Sequence, residues 1–215
     1  MRVERNFVFA AVANERRQIA TLVENLDDAQ LATPSLCAGW DVKTVAAHVV
    51  SVFADSFWVF MGTAFGRASM ARAIDELARR RARAPAADIV ATLRACADHP
   101  LSPPLFGPLD PLADILVHAG DIRIPLRMPF EPDPELAALA LDFLTGPWPF
   151  GFVPLRRLSG ISLHASDIAR SWGNGAEIVG PVSALMMAVT GRTALLHLLD
   201  GPGLPPLRHR LPPAS

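Results

Sequence analysis

The sequence predicts a mainly α-helical protein, with a four-helix bundle over residues 1–150 followed by a small α/β unit over residues 151–215. Three observations carry that expectation. Apolar residues recur at helical spacing, as in Val8, Ala11, Val12, Ile19, Leu22, Val23 and Leu26. Helix-start signals stand ahead of such stretches: Asp41 after Gly39-Trp40, then Asp110-Pro111 and Asp133-Pro134. Past Gly146-Pro147-Trp148-Pro149 the pattern changes to alternation at Ile161, Leu163 and Ala165, the period of a half-buried strand.

The elements follow in order. A first helix is predicted from Val3 to Leu26, ended by Asp27-Asp28 and the Thr33-Pro34-Ser35 turn. Asp41 caps a second helix that presents Val42, Val45, Ala46, Val49, Phe53, Phe57 and Phe60. An Ala/Arg-rich region runs to Arg83, and Pro85 to Asp98 form a short helix stopped at His99-Pro100. Pro103, Pro104, Gly107 and Pro108 make the next segment a stiff loop. Asp110 as cap and Pro111 at the first helical position open a helix with Leu112, Ile115, Ala119 and Ile122 on its apolar stripe. Asp133-Pro134 opens another through Leu136, Leu139, Ala140 and Phe143. The carboxyl-terminal unit adds a strand at 161–165, a turn at Gly173-Asn174-Gly175, an apolar run from Ala176 to Val179 and a last helix through Leu185, Met186 and Val189. The tail from Gly201 to Ser215 is predicted to be loose.

Composition narrows the function classes. A chain of 215 residues with 51% hydrophobic content buries a substantial core. Twenty basic residues against 21 acidic ones leave no general electrostatic footprint for nucleic acid. The one basic cluster, Arg67 to Arg83 with Arg72, Arg79, Arg80 and Arg81, reads as a solvated helix face. Two cysteines, Cys37 and Cys96, are too few for a disulfide framework and suit a reducing cytoplasm. The start Met1-Arg-Val-Glu-Arg-Asn carries charge at once, unlike a signal peptide. Val45 to Met61, the most apolar stretch, is broken by His48 and Asp55 and reads as a buried bundle helix, not a membrane span. The expectation is a cytoplasmic monomer or homodimer with a small-molecule substrate and neither a nucleic-acid nor a membrane partner.

The chemistry concentrates in His48 and in Asp114-Ile-Leu-Val-His118. Asp114 and His118 stand one turn apart on one helix face. Two imidazoles and a carboxylate are a recurring three-ligand set for a divalent metal, and three protein ligands leave a coordination position open, as in catalytic zinc and non-haem ferrous sites. The competing reading is a solvated polar stripe of Asp114, His118 and Asp121. His48 weighs on the other side, because Val45-Ala46-Ala47-His48-Val49-Val50 is apolar nearly all round and a buried imidazole there requires a partner. A metal satisfies that need, and so does a hydrogen bond from backbone or carboxylate. The residues alone therefore leave open a metal enzyme, such as a metal-dependent hydrolase with hydroxide in the open position, and a non-catalytic bundle that binds a small apolar ligand or serves as a dimer scaffold.

Other residues carry two readings each. Asp121 suits an acceptor that orients a ligand, or a capping or exposed role. Arg123 suits a catalytic-site receptor for a substrate carboxylate, or a surface ion pair. Cys37 is read as a small residue in a turn and Trp40 as a plug at the bundle end. Arg192 suits pairing with a helix C-terminus or substrate binding. His164 and His197 have no carboxylate at ligand spacing in the sequence and are read as structural.

Three segments together carry a family resemblance: Pro34-Ser-Leu-Cys-Ala-Gly-Trp40-Asp-Val-Lys-Thr-Val-Ala-Ala-His48, Val117-His118-Ala-Gly-Asp121-Ile-Arg123-Ile-Pro125-Leu, and Gly180-Pro-Val-Ser-Ala-Leu to Gly191-Arg192. The chain resembles, over nearly its whole length, the actinobacterial maleylpyruvate isomerase family of mycothiol-dependent enzymes. That resemblance implies a DinB-like four-helix bundle and an abbreviated sterol-carrier-like carboxyl-terminal domain. It also implies a metal, most often zinc, held by a histidine early in the second helix and by a Glu-x-x-x-His pair on a later one. His48 and His118 match those positions, and Asp114 stands in place of the glutamate. The implied chemistry is isomerisation or thiol transfer on a small electrophile, with mycothiol as the thiol.

Overall fold

Helix-favouring runs punctuated by local caps build most of this chain, which the computed structural model describes at residues 5–54, 70–100, 107–147, 149, 151–154 and 156–212. The extension of the second helix to Phe60, Arg67 of the basic cluster and most of the stiff loop before Gly107 lie outside the described residues. The predicted class holds: the described chain is mainly helical with a small three-stranded sheet. Packing groups it into two compact units, Met1–Leu101 with Asp121–Met128, and Ser102–Gly120 with Pro129–Ser215. These units follow contact, whereas the boundary at residue 150 follows element type.

In the first unit, α1 (Arg5–Glu24) buries Val8, Val12, Ile19, Ala20 and Val23 at the three-to-four-residue spacing of one face. Asp27 then nucleates a single turn, α2 (Asp28–Leu31), through a capping box with Gln30. The Asp41 carboxylate accepts from the Thr44 amide at 2.7 Å and so starts α3 (Val42–Ala54) as predicted. The Ala/Arg-rich region forms α4 (Met70–Arg81), which buries Ala73, Leu77 and Ala78 and ends on three arginines that complement its dipole. Helix α5 (Ala86–Ala95) buries Ile89, Val90 and Leu93. Helix α1 packs on α5, and α3 packs on α4 and α5. Arg16, only 2% exposed, donates to the carbonyls of Ala97 at 2.8 Å and His99 at 2.9 Å, so its charge meets backbone acceptors of the turn that follows α5.

Helix α6 (Leu109–Arg123) contributes its residues up to Gly120 to the second unit. Asp133 caps α7 (Pro134–Leu144), accepting from the amides of Glu135 and Leu136 at 2.9 and 3.1 Å. The sheet consists of β1 (Ile161–Ala165), β2 (Ser171–Gly173) and β3 (Ala176–Gly180) in the order β2-β1-β3. Strand β1 pairs antiparallel with β2, Leu163 opposite Trp172, and parallel with β3, Leu163 opposite Ile178. The Gly-Asn-Gly turn therefore carries the chain across the start of β1 and does not close a hairpin between β2 and β3. A Cβ at Gly175 would lie 2.1 Å from the Gly160 carbonyl oxygen, so that crossing needs glycine. Asp142 of α7 ties the sheet edge down by accepting two 2.7 Å bonds from Arg170 and one of 2.7 Å from the Trp172 indole. Helix α8 (Val182–Val189) lies against α7 and β1 and is buried at Leu185, Met186 and Met187.

The tail departs from expectation, because Leu204–Arg210 form a helix, α9. Its Pro205 and Pro206 occupy the first turn, where an α-helix has no use for amide donors, and Leu204 and Leu207 are 7% and 0% exposed. Leu207→Ala is expected to cost about 2 to 5 kcal/mol of unfolding free energy. Arg208→Ala on the exposed side should stay within about 0.5 kcal/mol. Denaturant midpoints at unchanged slope check both.

Candidate functional site

Helix α6 is lined by Leu112, Ala113, Ile115, Leu116, Val117 and Ala119, all buried. Within that apolar surround the four-residue spacing brings Asp114 and His118 together, with the His118 Nε2 3.4 Å from Asp114 Oδ1. The stripe is not a solvated face: His118 is 7% exposed and Asp121 is fully buried. A role for Asp121 as an exposed residue is thereby excluded. Its backbone carbonyl accepts from the Leu36 amide at 3.3 Å.

One further acid belongs to this face. Helix α6 begins at Leu109, so Asp110 lies inside the first turn instead of capping it, and Pro111 follows where no amide donor is needed. Asp110, Asp114 and His118 thus repeat every four residues. Burial first, and the Asp114 charge second, push the Asp110 carboxyl up to about 7. The cap-like Asp-Pro pair hid this residue from sequence reasoning, although its spacing to Asp114 was the available signal.

On α3, His48 is 7% exposed among the buried Val45, Ala46, Ala47, Val49 and Val50. The ring of Trp40 lies against it, centroids 5.1 Å apart and planes tilted by 47°. Trp40 is itself 8% exposed, and its indole nitrogen donates to Asp75 Oδ1 at 2.7 Å.

The remaining candidates have defined places. Arg123 is the last residue of α6 and lines a shallow groove of about 420 Å³ with Arg17, Gln18, Thr21, Leu22 and Asn25. Burial pushes the nearby Glu15 carboxyl up, and the Arg123 charge opposes that shift. Arg192 donates to the Thr190 carbonyl at 3.0 Å, at the end of α8, where Arg157 also donates to the Val189 carbonyl at 3.1 Å. Burial, then the Arg192 charge, depress Arg157 below the usual arginine range. Cys37 and Cys96 are half-buried thiols that form no disulfide. His164 lies 3.9 Å from Glu177 on the neighbouring strand, a cross-strand pairing invisible in sequence spacing. His197 contacts the Ala194 carbonyl at 3.0 Å. Among the described residues, no helix is long and apolar enough to cross a membrane.

The described chain thus carries a buried histidine on α3 and, on α6, a half-buried Asp114 one turn before the buried His118. Residues 12–102 match the family model described as the mycothiol maleylpyruvate isomerase N-terminal domain. Among solved structures, the chain is similar to the mycothiol-dependent maleylpyruvate isomerase, with a TM-score of 0.56 at 13% identity. It is similar also to a histidine-to-alanine mutant of that enzyme, with a TM-score of 0.57 at 13% identity. Each likeness covers 92% of this chain and 91% of the other, so the shared fold extends through the carboxyl-terminal part that its sequence suggested to be abbreviated. No curated protein sequence matches the chain.

The Asp110 shift sets a pH dependence. Because its folded pKa of about 7 lies above the usual value of 3.8, the folded state holds this proton more tightly than the unfolded chain. The resulting stabilisation is complete below 3.8 and is lost as pH rises through about 7. In chelator-treated protein, Asp110→Asn should remove this part of the decline, and thermal melts taken across that range check it.

Proposed function

We propose that this protein is a divalent-metal-dependent enzyme that uses mycothiol and acts as an isomerase or thiol transferase on a small electrophilic substrate. The observation that carries the reading is the Asp114–His118 pair of α6, with His118 Nε2 3.4 Å from Asp114 Oδ1; the buried His48 of α3 is proposed as the third donor of the set. Its chemistry fits zinc, since two imidazoles and one carboxylate are borderline-soft and hard donors of the kind that zinc enzymes combine. His48 and His118 are each 7% exposed, so bulk water has little access to either imidazole. Asp114 supplies the balancing negative charge one turn before His118, from a side chain one methylene shorter than the glutamate of the resembling family.

A divalent ion held by Asp114 and His118 with His48 would lower the pKa of a thiol bound to it. The chain's own part is to hold the donors and keep water away, through the apolar residues of α6 and α3. Asp121, fully buried three residues past His118, is proposed to hold the orientation of the ligand set. Arg123 is proposed to receive a substrate carboxylate through its planar pair of donors. Isomerase and transferase differ in whether the thiol adduct collapses back to free mycothiol or leaves as product.

Metal content tests the carrying observation. Protein purified without added metal or chelator is expected to hold close to one equivalent of a divalent ion, by elemental analysis. His118→Ala should lower that occupancy far more than Asp121→Ala, whose loss belongs to the range of about 10 to 100-fold in affinity for outer partners. Equal occupancy in wild type and His118→Ala would remove the ligand assignment.

Mycothiol binding is read by melting. At 100 times its dissociation constant, mycothiol should stabilise the metal-loaded protein by about 2.7 kcal/mol and leave the chelated protein unchanged. Metal-loaded protein that melts identically with and without mycothiol would point to hydrolase or scaffold instead. For an anionic substrate, Arg123→Gln is expected to raise KM more than it lowers kcat, which steady-state kinetics check.

A further inference from the structure

We infer that Asp75, acting through Trp40, is a positioning residue for the His48 imidazole, an inference that rests on the proposed role of His48 as a metal ligand. Every group involved lies in the first unit. Trp40 presents its ring to His48 at a centroid distance of 5.1 Å and a tilt of 47°, so the plane of the indole limits how the imidazole can turn. That plane is set from the far side of the indole, where Nε1 donates to Asp75 Oδ1 at 2.7 Å.

Asp75 is fixed in turn. The same Oδ1 accepts from Arg79 Nε at 2.8 Å, one turn along α4. Arg79 Nη2 donates to the Gly39 carbonyl at 2.8 Å, which ties α4 to the residue immediately before Trp40. Gly39 has φ of +80°, a conformation that favours glycine, and a Cβ there would come within 3.3 Å of Arg79 Nη2. One carboxylate thus gathers the backbone before Trp40, the Trp40 ring and the helix packed beside α3 into one hydrogen-bonded set.

A plug at a bundle end needs only apolar contact, and an exposed i, i+4 Asp–Arg pair contributes little by itself. The side chains of Asp75 and Arg79 are 46% and 50% exposed, so their charges are partly screened. What the carboxylate adds is direction: two charge-assisted bonds at fixed angles, one of them to a ring that bears on His48. A metal ligand depends on that direction, since a rotated imidazole misses the ion even when the fold is intact.

The test uses the full chain, with Co²⁺ as the probe ion. Co²⁺ affinity is measured by competition with a chromophoric chelator, coordination geometry by the visible absorption bands, and folding by the melting of the metal-free form. Asp75→Leu is expected to weaken Co²⁺ by about 10 to 100-fold and to shift the bands, whereas Asp75→Asn, which keeps an acceptor for the indole, should stay within about threefold of wild type with unchanged bands. Trp40→Phe retains a ring against His48 but no N–H for Asp75, and it should lose affinity to an intermediate degree. Folded Asp75→Leu with wild-type affinity and bands would overturn the inference. If Asp75→Leu does not fold, unchanged Co²⁺ binding in Trp40→Phe would overturn it equally. His48→Ala separates the two layers: wild-type Co²⁺ binding in that variant would sink the ligand reading itself, while a loss there with no effect at Asp75 or Trp40 would sink only the positioning role.

Discussion

Polar groups buried in a helical interior built from alanine, valine and leucine constrain this structure more than any other feature. A buried charge or imidazole costs several kcal/mol unless something meets it, and this chain buries Arg16, His48, His118 and Asp121 to 7% exposure or less. Arg16 shows one solution, with its guanidinium directed at carbonyls of the turn that follows α5. That bond set fixes where α1 lies on α5, so a polar requirement sets a packing register that leucines and valines alone would leave freer. His48 shows a second solution, in which an aromatic ring held by a surface carboxylate frames the imidazole.

The third case is α6, where the four-residue repeat of Asp110, Asp114 and His118 concentrates negative charge in a partly buried strip. Burial first, and the Asp114 charge one turn away second, push the Asp110 carboxyl up to about 7. Such a strip is costly as plain scaffold. A cation sharing the strip would offset that cost, and this links the local electrostatics of one helix to the proposed chemistry.

The sheet unit obeys a different constraint. Three short strands make a marginal sheet in isolation, and this one is secured from α7 by Asp142, which holds both Arg170 and the Trp172 indole. The same device recurs at Asp75 with Arg79 and Trp40. In both, a single carboxylate joins an arginine and an indole N–H, which orients a large ring at the cost of one partly exposed charge.

Helix positions, the caps at Asp41 and Asp133, the change to strand period after residue 150 and the Asp114–His118 pair were all legible in the sequence. Each depends on residues within about one turn of each other, and local spacing is what a linear chain displays. Tertiary structure alone decided that the polar stripe of α6 is buried, that Asp110 joins it, that the Gly173–Gly175 crossing separates β2 from β3, and that the tail coils into α9 over Leu204 and Leu207. The link from Asp75 to Trp40, across 35 residues, belongs to the same group. Burial and cross-element partners depend on which surfaces meet, and no periodicity records that.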